Sequence, residues 1–323
     1  MGEPTAGNFS LVESPMPALA DGQVLCRTLF LSLDPYMRGR MNSGRSYVDP
    51  VEVGQPMCGG TISQVVQSRS DSFTPGDVVL SDSGWQEYAA CAAGSLKKLP
   101  RQPWPLSYYL GVLGMPGMTA YVALLDIGQP RPGETVVISA AAGAVGSVAG
   151  QIAKIKGCRV VGTAGSDEKC RHVKETLGFD ACINYKTEPL LRGLKRACPN
   201  GIDVYFDNVG GPTLETVLRL INIGARIPLV GMISQYNATE LVGGPNLMSL
   251  LVKRATIRGM IVYDHVDRAE AFTRDVSQWL GEGKMKYREH MVEGGLAAVP
   301  QAFIGLFHGE NIGKLVVKIA DPG

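Results

Sequence analysis

A glycine-rich turn after an apolar run is the feature of the sequence with the clearest chemical meaning. Residues 135–139 read TVVIS, and Ala141, Gly143 and Gly146 follow at the spacing of the dinucleotide fingerprint G-x-G-x-x-G, with alanine in the first position. Gly143 would let the backbone approach a pyrophosphate, and Gly146 would let the next helix pack against the strand. Small residues at a helix start also serve close packing alone. A second β-rich run at 159–163 favours the dinucleotide site.

The end of that second run indicates which dinucleotide would bind. An NAD site usually places Asp or Glu there, about 20 residues after the turn, to bind the ribose 2′-hydroxyl. This chain has Gly165 and Ser166 at that point, and Asp167 follows one step later. The missing acid leaves room for a 2′-phosphate, which Ser166 and Lys169 could bind through charge-assisted hydrogen bonds. Ser166 would also cap the next helix, which is compatible with phosphate binding. The sequence therefore favours NADPH.

The side chains that a zinc alcohol dehydrogenase needs are missing. None of the four histidines lies in the first 110 residues, and none is paired with Cys or Glu at ligand spacing. The sequence therefore predicts no metal site. A G-x-S-x-G elbow is also absent, so a hydrolase has no support.

Charge and cysteine usage exclude several partners. The 31 Lys and Arg residues nearly balance 30 Asp and Glu, which leaves no basic surface for nucleic acid or an anionic membrane. Residues 135–153 are uncharged, but their glycines favour a buried strand, turn and helix over a membrane span. The seven cysteines are scattered without a C-x-x-C pair, and the first ten residues do not resemble a secretory signal. We therefore expect a cytoplasmic protein.

The chain of 323 residues divides into regions of different texture. Residues 1–110 combine short apolar runs with Pro, Gly and Asp turns, which is typical of a β-rich domain. Residues 111–283 alternate strands and helices, which predicts a doubly wound parallel sheet. Residues 284–323 are expected to return to the first domain, with a strand at 311–319. The predicted strands are 24–33, 60–67, 77–81, 87–91, 135–139, 159–163, 181–184, 203–207, 226–230 and 255–263.

Several ordered runs resemble one family over nearly the whole chain. The family is that of the zinc-independent medium-chain reductases, in the group of prostaglandin reductase (leukotriene B4 dehydrogenase), alkenal reductase and curcumin reductase. The runs, besides the glycine turn, are LSLDPYMR at 31–38, GMPGMTAY at 114–121, GSDEK at 165–169, NYK at 184–186, YFDNVGG at 205–211, ISQYN at 233–237 and NIGK at 311–314.

The resemblance implies a fold and an activity. It implies a GroES-like catalytic domain and a Rossmann domain, assembled as a homodimer. The reaction implied is the NADPH-dependent reduction of the carbon–carbon double bond of α,β-unsaturated aldehydes and ketones. Relatives usually carry an additional strand before the segment Gly2–Thr5, and we expect its absence to leave the catalytic groups in place.

The resemblance also assigns residues to the cofactor. Ser166, Lys169 and Tyr185 are expected at the 2′-phosphate, and Met115 and Thr119 near the nicotinamide. The remaining positions expected along the cofactor are Ala142, Gly143, Ala144, Val145, Gly146, Asn208, Val230, Gly231, Ser234, Tyr236, Met260, Ile261, Val262 and Asn311.

Tyrosines are the expected catalytic groups. A neutral tyrosine hydroxyl can donate a hydrogen bond to the enolate oxygen that forms as hydride reaches the β-carbon. By resemblance Tyr47 and Tyr236 take this role, and the nicotinamide ribose hydroxyl would share it. Tyr263 and Trp85 are expected to contact substrate together with Tyr47. Any one of the 11 tyrosines could instead be a packing or surface residue, and Trp85 could equally belong to the core.

Three other activities remain open from the sequence. Two are enzymes of the same superfamily, a quinone reductase and a zinc-free alcohol dehydrogenase acting on a hydroxylated lipid. The third is a protein that binds NADPH without turnover.

Overall fold

The computed structural model describes residues 2–44, 46–100, 103–240 and 243–322. The chain forms two compact units. The first unit comprises Met1–Leu110, Glu289–Asn311 and Leu315–Gly323, and the second comprises Gly111–Arg288 and Ile312–Lys314.

The described residues form strands and helices in the following order. The strands are β1 (Gln23–Ser32), β2 (Thr61–Ser68), β3 (Val78–Ser81), β4 (Tyr88–Ala92), β5 (Lys97–Lys98), β6 (Thr135–Ile138), β7 (Arg159–Ala164), β8 (Ala181–Asn184), β9 (Ile202–Phe206), β10 (Ile221–Leu229), β11 (Thr256–Gly259), β12 (Glu289–Val292) and β13 (Lys314–Lys318). The α-helices are α1 (Tyr36–Arg40), α2 (Met115–Val122), α3 (Ala144–Ile155), α4 (Asp167–Arg171), α5 (Leu190–Ala197), α6 (Gly211–Leu218), α7 (Met248–Lys253), α8 (Ala269–Gly281) and α9 (Val299–His308). Short 3-10 helices lie at Ala6–Asn8, Ala93–Ser95, Leu106–Leu110, Ile233–Gln235, Val262–Arg268 and Gly295–Ala298, and wider π turns at Ala123–Gly128 and His172–Thr176.

The first unit is built on an antiparallel sheet. Its strand order is β12-β13-β1-β2-β3-β5, and β4 also pairs with β1. The long strand β1 pairs with β2 along one edge, and with β4 and then β13 along the other. Apolar side chains from β1, α1, α9 and β13 meet in one core, where Leu31, Met37, Phe303 and Val317 are all buried. The C-terminal strand thus completes the sheet that the N-terminal strands begin.

The second unit is a parallel sheet in the order β11-β10-β9-β6-β7-β8. Strand β6 is buried throughout and β9 is buried apart from Asp203, as expected when crossover helices cover both faces. The chain runs outward from β6 through β7 to β8, then returns to β9 on the other side of β6. This reversal of strand order defines a doubly wound sheet, whose ligand crevice lies at the carboxyl ends of the strands where the order reverses.

Candidate cofactor-binding and active-site residues

The glycine turn lies at the switch point of the parallel sheet, between the carboxyl ends of β6 and β9. Ala140 adopts a left-handed backbone with φ of 48°, and the Gly143 N–H donates to the Ala140 carbonyl over 2.9 Å. The Ala141 N–H donates to Thr163 at 3.0 Å, which ties the turn to β7. Helix α3 then begins at Ala144 without a side-chain cap, so its first N–H groups are available to an anion.

Two glycines of α3 are required by close packing. A Cβ at Gly146 would collide with the carbonyl oxygen of Ala140, and a Cβ at Gly150 would collide with the ring of Phe179. Gly146 thus has the packing role that the fingerprint predicts for its last glycine. The turn and the start of α3 hold the predicted residues Ala142, Gly143, Ala144, Val145 and Gly146 in one continuous stretch.

Gly313 reaches the same turn from the C-terminal part of the chain. Its N–H donates to the Ala142 carbonyl over 2.8 Å, and it forms an isolated parallel bridge with Gly143. Its φ is 80°, and a Cβ there would collide with the carbonyl of Arg288. The sequence analysis assigned Asn311 to the cofactor and left Gly313 out, although the NIGK run contains both. Asn311 lies in the first unit and is 9% exposed.

A buried carboxylate organises the carboxyl end of β9. Asp207 is fully buried, and its Oδ1 accepts hydrogen bonds from the Tyr205 hydroxyl at 2.8 Å and from the N–H groups of Val209 and Gly210 at 2.9 Å. Its Oδ2 has no hydrogen-bond partner among the residues that the structure describes. Burial raises the pKa of Asp207, whereas these donors act in the opposite direction. The sequence analysis missed Asp207, although it is part of the YFDNVGG run.

Asn208 is fixed at the switch point by the neighbouring strand. Its side-chain Nδ2 donates to the Ser139 carbonyl over 2.7 Å, and its N–H donates to Ser139 Oγ over 2.8 Å. Ser139 follows β6 directly, so these bonds join the ends of β6 and β9. The predicted cofactor residue Asn208 therefore lies beside the glycine turn.

The loop after β10 also converges on this point. The N–H groups of Val230 and Gly231 donate to the Asp207 carbonyl at 2.9 and 3.2 Å. Ser234 Oγ donates to the Val209 carbonyl over 2.6 Å. The structure thus brings the predicted residues Val230, Gly231, Ser234 and Asn208 together in the second unit.

Tyr236 ends the same loop with its hydroxyl turned back onto it. The hydroxyl oxygen accepts a hydrogen bond from the Met232 N–H at 3.2 Å, and its own proton is available to an acceptor. Burial raises the pKa of Tyr236, so the hydroxyl is neutral at physiological pH. This is the protonation state that the predicted catalytic role requires.

Positive charge collects at the end of β7, where an NAD enzyme would place an acid. Ser166 Oγ caps α4 by accepting from the Lys169 N–H at 3.2 Å, and a Cβ at Gly165 would lie 2.7 Å from the Tyr185 hydroxyl. The pKa of Lys169 is lowered by burial and then by the charge of Lys186. Ser166 and the Tyr185 hydroxyl therefore lie beside Gly165, with Lys169 in the helical turn that follows. Lys186, which the sequence did not predict, adds a second cation near Lys169.

The other predicted positions of the second unit lie on different elements. Thr119 Oγ1 donates to the Met115 carbonyl over 2.8 Å within α2. The predicted strand 255–263 is too long, because β11 ends at Gly259 and a 3-10 helix begins at Val262. Met260 and Ile261 form the link, and Met260 is tied to Leu229 through its N–H at 3.2 Å.

Three predicted substrate contacts differ in exposure. Tyr47 is 53% exposed in an irregular segment of the first unit, and Tyr263 is 54% exposed on the 3-10 helix of the second. Trp85 stacks on Phe9 with ring centroids 5.2 Å apart and meets Phe303 edge-on, as a core residue does. The contact of Trp85 with substrate stays a prediction.

Within the described residues there is neither a metal-binding cluster nor a helix that could cross a membrane. No cluster of three or more His, Cys, Asp or Glu side chains could hold a metal ion within residues 2–44, 46–100, 103–240 and 243–322. Over the same residues, no helix has the length and apolar character that crossing a membrane requires.

Comparison with known proteins places the chain in a family. Two family descriptions match, "N-terminal domain of oxidoreductase" over residues 1–99 and "Zinc-binding dehydrogenase" over residues 144–280. The NADPH-dependent curcumin reductase of Escherichia coli (strain K12) is 50% identical, over 99% of this chain and 94% of that protein. The chain belongs to the curcumin and prostaglandin reductase family. Prostaglandin reductase 1 of Bos taurus, another member, is 44% identical over 98% of this chain and 96% of its own length.

A solved structure of a family member has the same fold. The crystal structure of CurA from Vibrio vulnificus in complex with NADPH is 52% identical and superposes with a TM-score of 0.95. The match covers 99% of this chain and 97% of the CurA chain. The predicted combination of a GroES-like β-rich domain and a Rossmann domain is therefore confirmed.

Proposed function

We propose that the chain is an NADPH-dependent reductase of the carbon–carbon double bond in α,β-unsaturated ketones and aldehydes. One observation carries the proposal. The glycine turn, Asn208 and the loop 230–236 meet at the switch point, and two lysines lie at the strand end that selects between NADPH and NADH. The names of the family members, curcumin reductase and prostaglandin reductase, support an enone substrate.

The residues present fit NADPH at both ends of the site. A pyrophosphate needs close approach to the backbone, and the segment 140–146 presents small residues and an uncapped helix start there. A 2′-phosphate needs cations. Lys169 and Lys186 provide them. The first turn of α4 also carries Asp167, whose carboxylate accepts a hydrogen bond from Asn184 at 2.8 Å, and Glu168. The proposed cofactor positions therefore have the chemistry of an NADP site.

The proposed chemistry divides between cofactor and protein. NADPH, when bound, supplies the hydride for the β-carbon of the enone. The carbonyl oxygen then gains negative charge, and a neutral tyrosine hydroxyl stabilises it by donating a hydrogen bond. The α-carbon of this enolate takes up a proton from solvent, which completes the saturated product. We assign this role to Tyr47 in the first unit and Tyr236 in the second. The raised pKa of Tyr236 keeps its proton in place as the donor.

The function is tested by following NADPH consumption with an enone, an alkenal and a quinone in turn. A separate assay follows NADP+ reduction with an allylic alcohol. We expect turnover of the enone and the alkenal, with one NADPH consumed for each double bond lost. Turnover of the quinone alone would indicate a quinone reductase. NADP+ reduction by the alcohol alone would indicate an alcohol dehydrogenase, and binding without turnover would leave a non-catalytic NADPH-binding protein.

Lys169→Ala is expected to reduce the preference for NADPH over NADH. Losing one charge-assisted hydrogen bond to the 2′-phosphate costs about 1.5–3 kcal/mol, or roughly a 10- to 150-fold loss in kcat/KM with NADPH. The value with NADH should stay near that of the wild type. Lys195→Ala on α5 is the matched control, because that lysine lies outside the proposed site. Equal kcat/KM values for the two cofactors in the wild type, unchanged in the variant, would contradict the assignment.

We also propose that the protein is a homodimer that pairs through the β11 edge of the second unit. β11 pairs only with β10 among the described strands, and its four residues are all exposed. Beside it α7 exposes Leu251 by 73% and Met248 by 59%, a patch that a second copy would cover.

Leu251→Asp is expected to convert the dimer to a monomer, because a carboxylate would be desolvated in an apolar contact. The measurement is molar mass by light scattering, with Val66→Asp on the exposed end of β2 as the control. A monomeric wild type, or a variant that remains dimeric, would contradict this surface.

For the compartment, we propose the cytoplasm. All seven cysteines are present as free thiols, and a reducing compartment keeps them so.

A further inference from the structure

Two cysteines face each other between β8 and the helix that follows β7. Gly162 and Cys182 are partners in the parallel register of β7 and β8. A Cβ built on Gly162 would lie 3.3 Å from Cys182 Sγ and 3.1 Å from Val173 Cγ1. Cys182 therefore projects toward the face that this helix covers. Cys170 precedes Val173 by three residues, so it presents its thiol from the same side of the helix.

The two thiols share a hydrogen bond. This bond lowers the pKa of the Cys170 thiol, whereas the bond and then burial raise the pKa of Cys182. Cys170 is therefore the more readily ionised thiol, and Cys182 remains protonated beside it. A thiolate next to a protonated thiol is the arrangement that an oxidisable dithiol needs.

Cys182 is half-buried, and Cys170 is 7% exposed. They line an open cavity of about 370 Å³, whose other walls carry charged and polar side chains. The remaining cysteines lack this combination. Cys26 and Cys91 also share a hydrogen bond, and Cys91 is half-buried, but neither residue lines this cavity. Burial raises the pKa of both Cys158 and Cys198 to about 11, and no thiol partner is described for either.

We propose that Cys170 and Cys182 form a redox-active dithiol that hydroperoxides oxidise to a disulfide. The Cys170 thiolate attacks the hydroperoxide, the O–O bond breaks, and an alcohol leaves after taking up a proton. Cys182 then attacks the sulfenic acid formed on Cys170, the S–O bond breaks, and water leaves. The two thiols lose two electrons and two protons in total, and the hydroperoxide is reduced to alcohol and water.

The dithiol is linked to the cofactor-selecting end of the second unit. The Cys170 N–H donates to the Ser166 carbonyl over 3.0 Å, and Cys170 is the next residue after Lys169. A disulfide between Cys170 and Cys182 on β8 would restrain the turn that carries Ser166 and Lys169. Oxidation would therefore raise the KM for NADPH more than that for NADH, a consequence that rests on the proposed function.

The site is tested on the full-length chain with tert-butyl hydroperoxide, alkylation of free thiols and digestion at glutamate without reduction. We expect a cross-link between peptides 169–175 and 176–215, because the Glu188–Pro189 bond resists cleavage, and Cys198 in the longer peptide is alkylated. The cross-linked product is lighter by two hydrogen atoms than the two peptides together and is lost on treatment with dithiothreitol. Cys182→Ser should instead accumulate a sulfenic acid at Cys170 that dimedone traps. Cys170→Ser should give no dimedone adduct at position 182, and Cys158→Ser should keep the cross-link.

The possible results distinguish failure of the proposed dithiol from failure of the proposed 2′-phosphate site. Absence of the cross-link, or a faster cross-link between Cys26 and Cys91, would overturn the proposed dithiol whatever cofactor the chain uses. A cross-linked enzyme with an unchanged KM for NADPH would overturn the link to the cofactor. If the reduced enzyme has no preference for NADPH, the proposed 2′-phosphate site is wrong, while the cross-link still reports on the thiols.

Discussion

Tyr47→Phe is expected to lower kcat for an enone about 100-fold or more, because a donor to the developing enolate oxygen is worth that much in related oxyanion sites. The KM for NADPH should change little, since the role assigned to Tyr47 is toward substrate. The measurement is steady-state kinetics at saturating NADPH. Tyr88→Phe on β4 of the same unit is the matched control and should keep the wild-type kcat.

The two proposed donors are separated by comparing this variant with Tyr236→Phe. The hydroxyl of Tyr236 also holds the Met232 N–H, so its loss should disturb the loop 230–236 and raise the KM for NADPH as well. A change in kcat alone at Tyr47, with changes in both constants at Tyr236, is the expected pattern. Wild-type kcat in Tyr47→Phe would show that another group supports the enolate.

Asp207→Ala is expected to lower the free energy of unfolding by about 3 kcal/mol or more. The substitution would leave the Tyr205 hydroxyl and the N–H groups of Val209 and Gly210 without their common acceptor, and each buried donor left unpaired costs about 1–3 kcal/mol. Urea unfolding measures the loss. Asp207→Asn is the matched control, because its amide oxygen can replace Oδ1, and it should be much less destabilising.

The raised pKa of Asp207 also predicts a dependence of stability on pH. A carboxyl whose pKa is raised by folding holds its proton more tightly in the folded state. Its contribution to stability is therefore full below the unfolded pKa of about 4 and is lost as the pH rises through the folded value. Asp207→Asn should lack this decline. A wild type and variant with parallel stability curves above pH 4 would show that burial of Asp207 does not perturb its titration.

The strands of the second unit were largely predictable because each is a short β-branched run between turns. The predicted strand 181–184 matches β8, and 159–163 differs from β7 by one residue. β10 begins at Ile221, five residues before the predicted start at residue 226. Gly224, with a φ of 75°, lets the strand continue there through an irregular register with β9. The helix α9 was missed; Pro300 lies in its first turn, where proline is tolerated, and Gly305 lowers the helix propensity of its middle.

The site was predictable where the chain itself carries the signal. The glycine turn is a local motif, so its location follows from the strand before it and the helix after it. Lys186, Gly313 and Asp207 were missed for a different reason. Each acts through a contact made by folding: Lys186 with Lys169, Gly313 with Ala142, and Asp207 with the loop after β9. Spacing along the chain does not reveal such contacts.

Isotope transfer reports whether the enzyme reduces the carbon–carbon double bond. The enzyme is incubated with an aryl enone and NADPH that carries deuterium at the transferable position, and the product is analysed by NMR. We expect a saturated ketone with deuterium at the β-carbon and one NADPH consumed for each enone. Deuterium on the carbonyl carbon of an allylic alcohol, with the double bond intact, would contradict it.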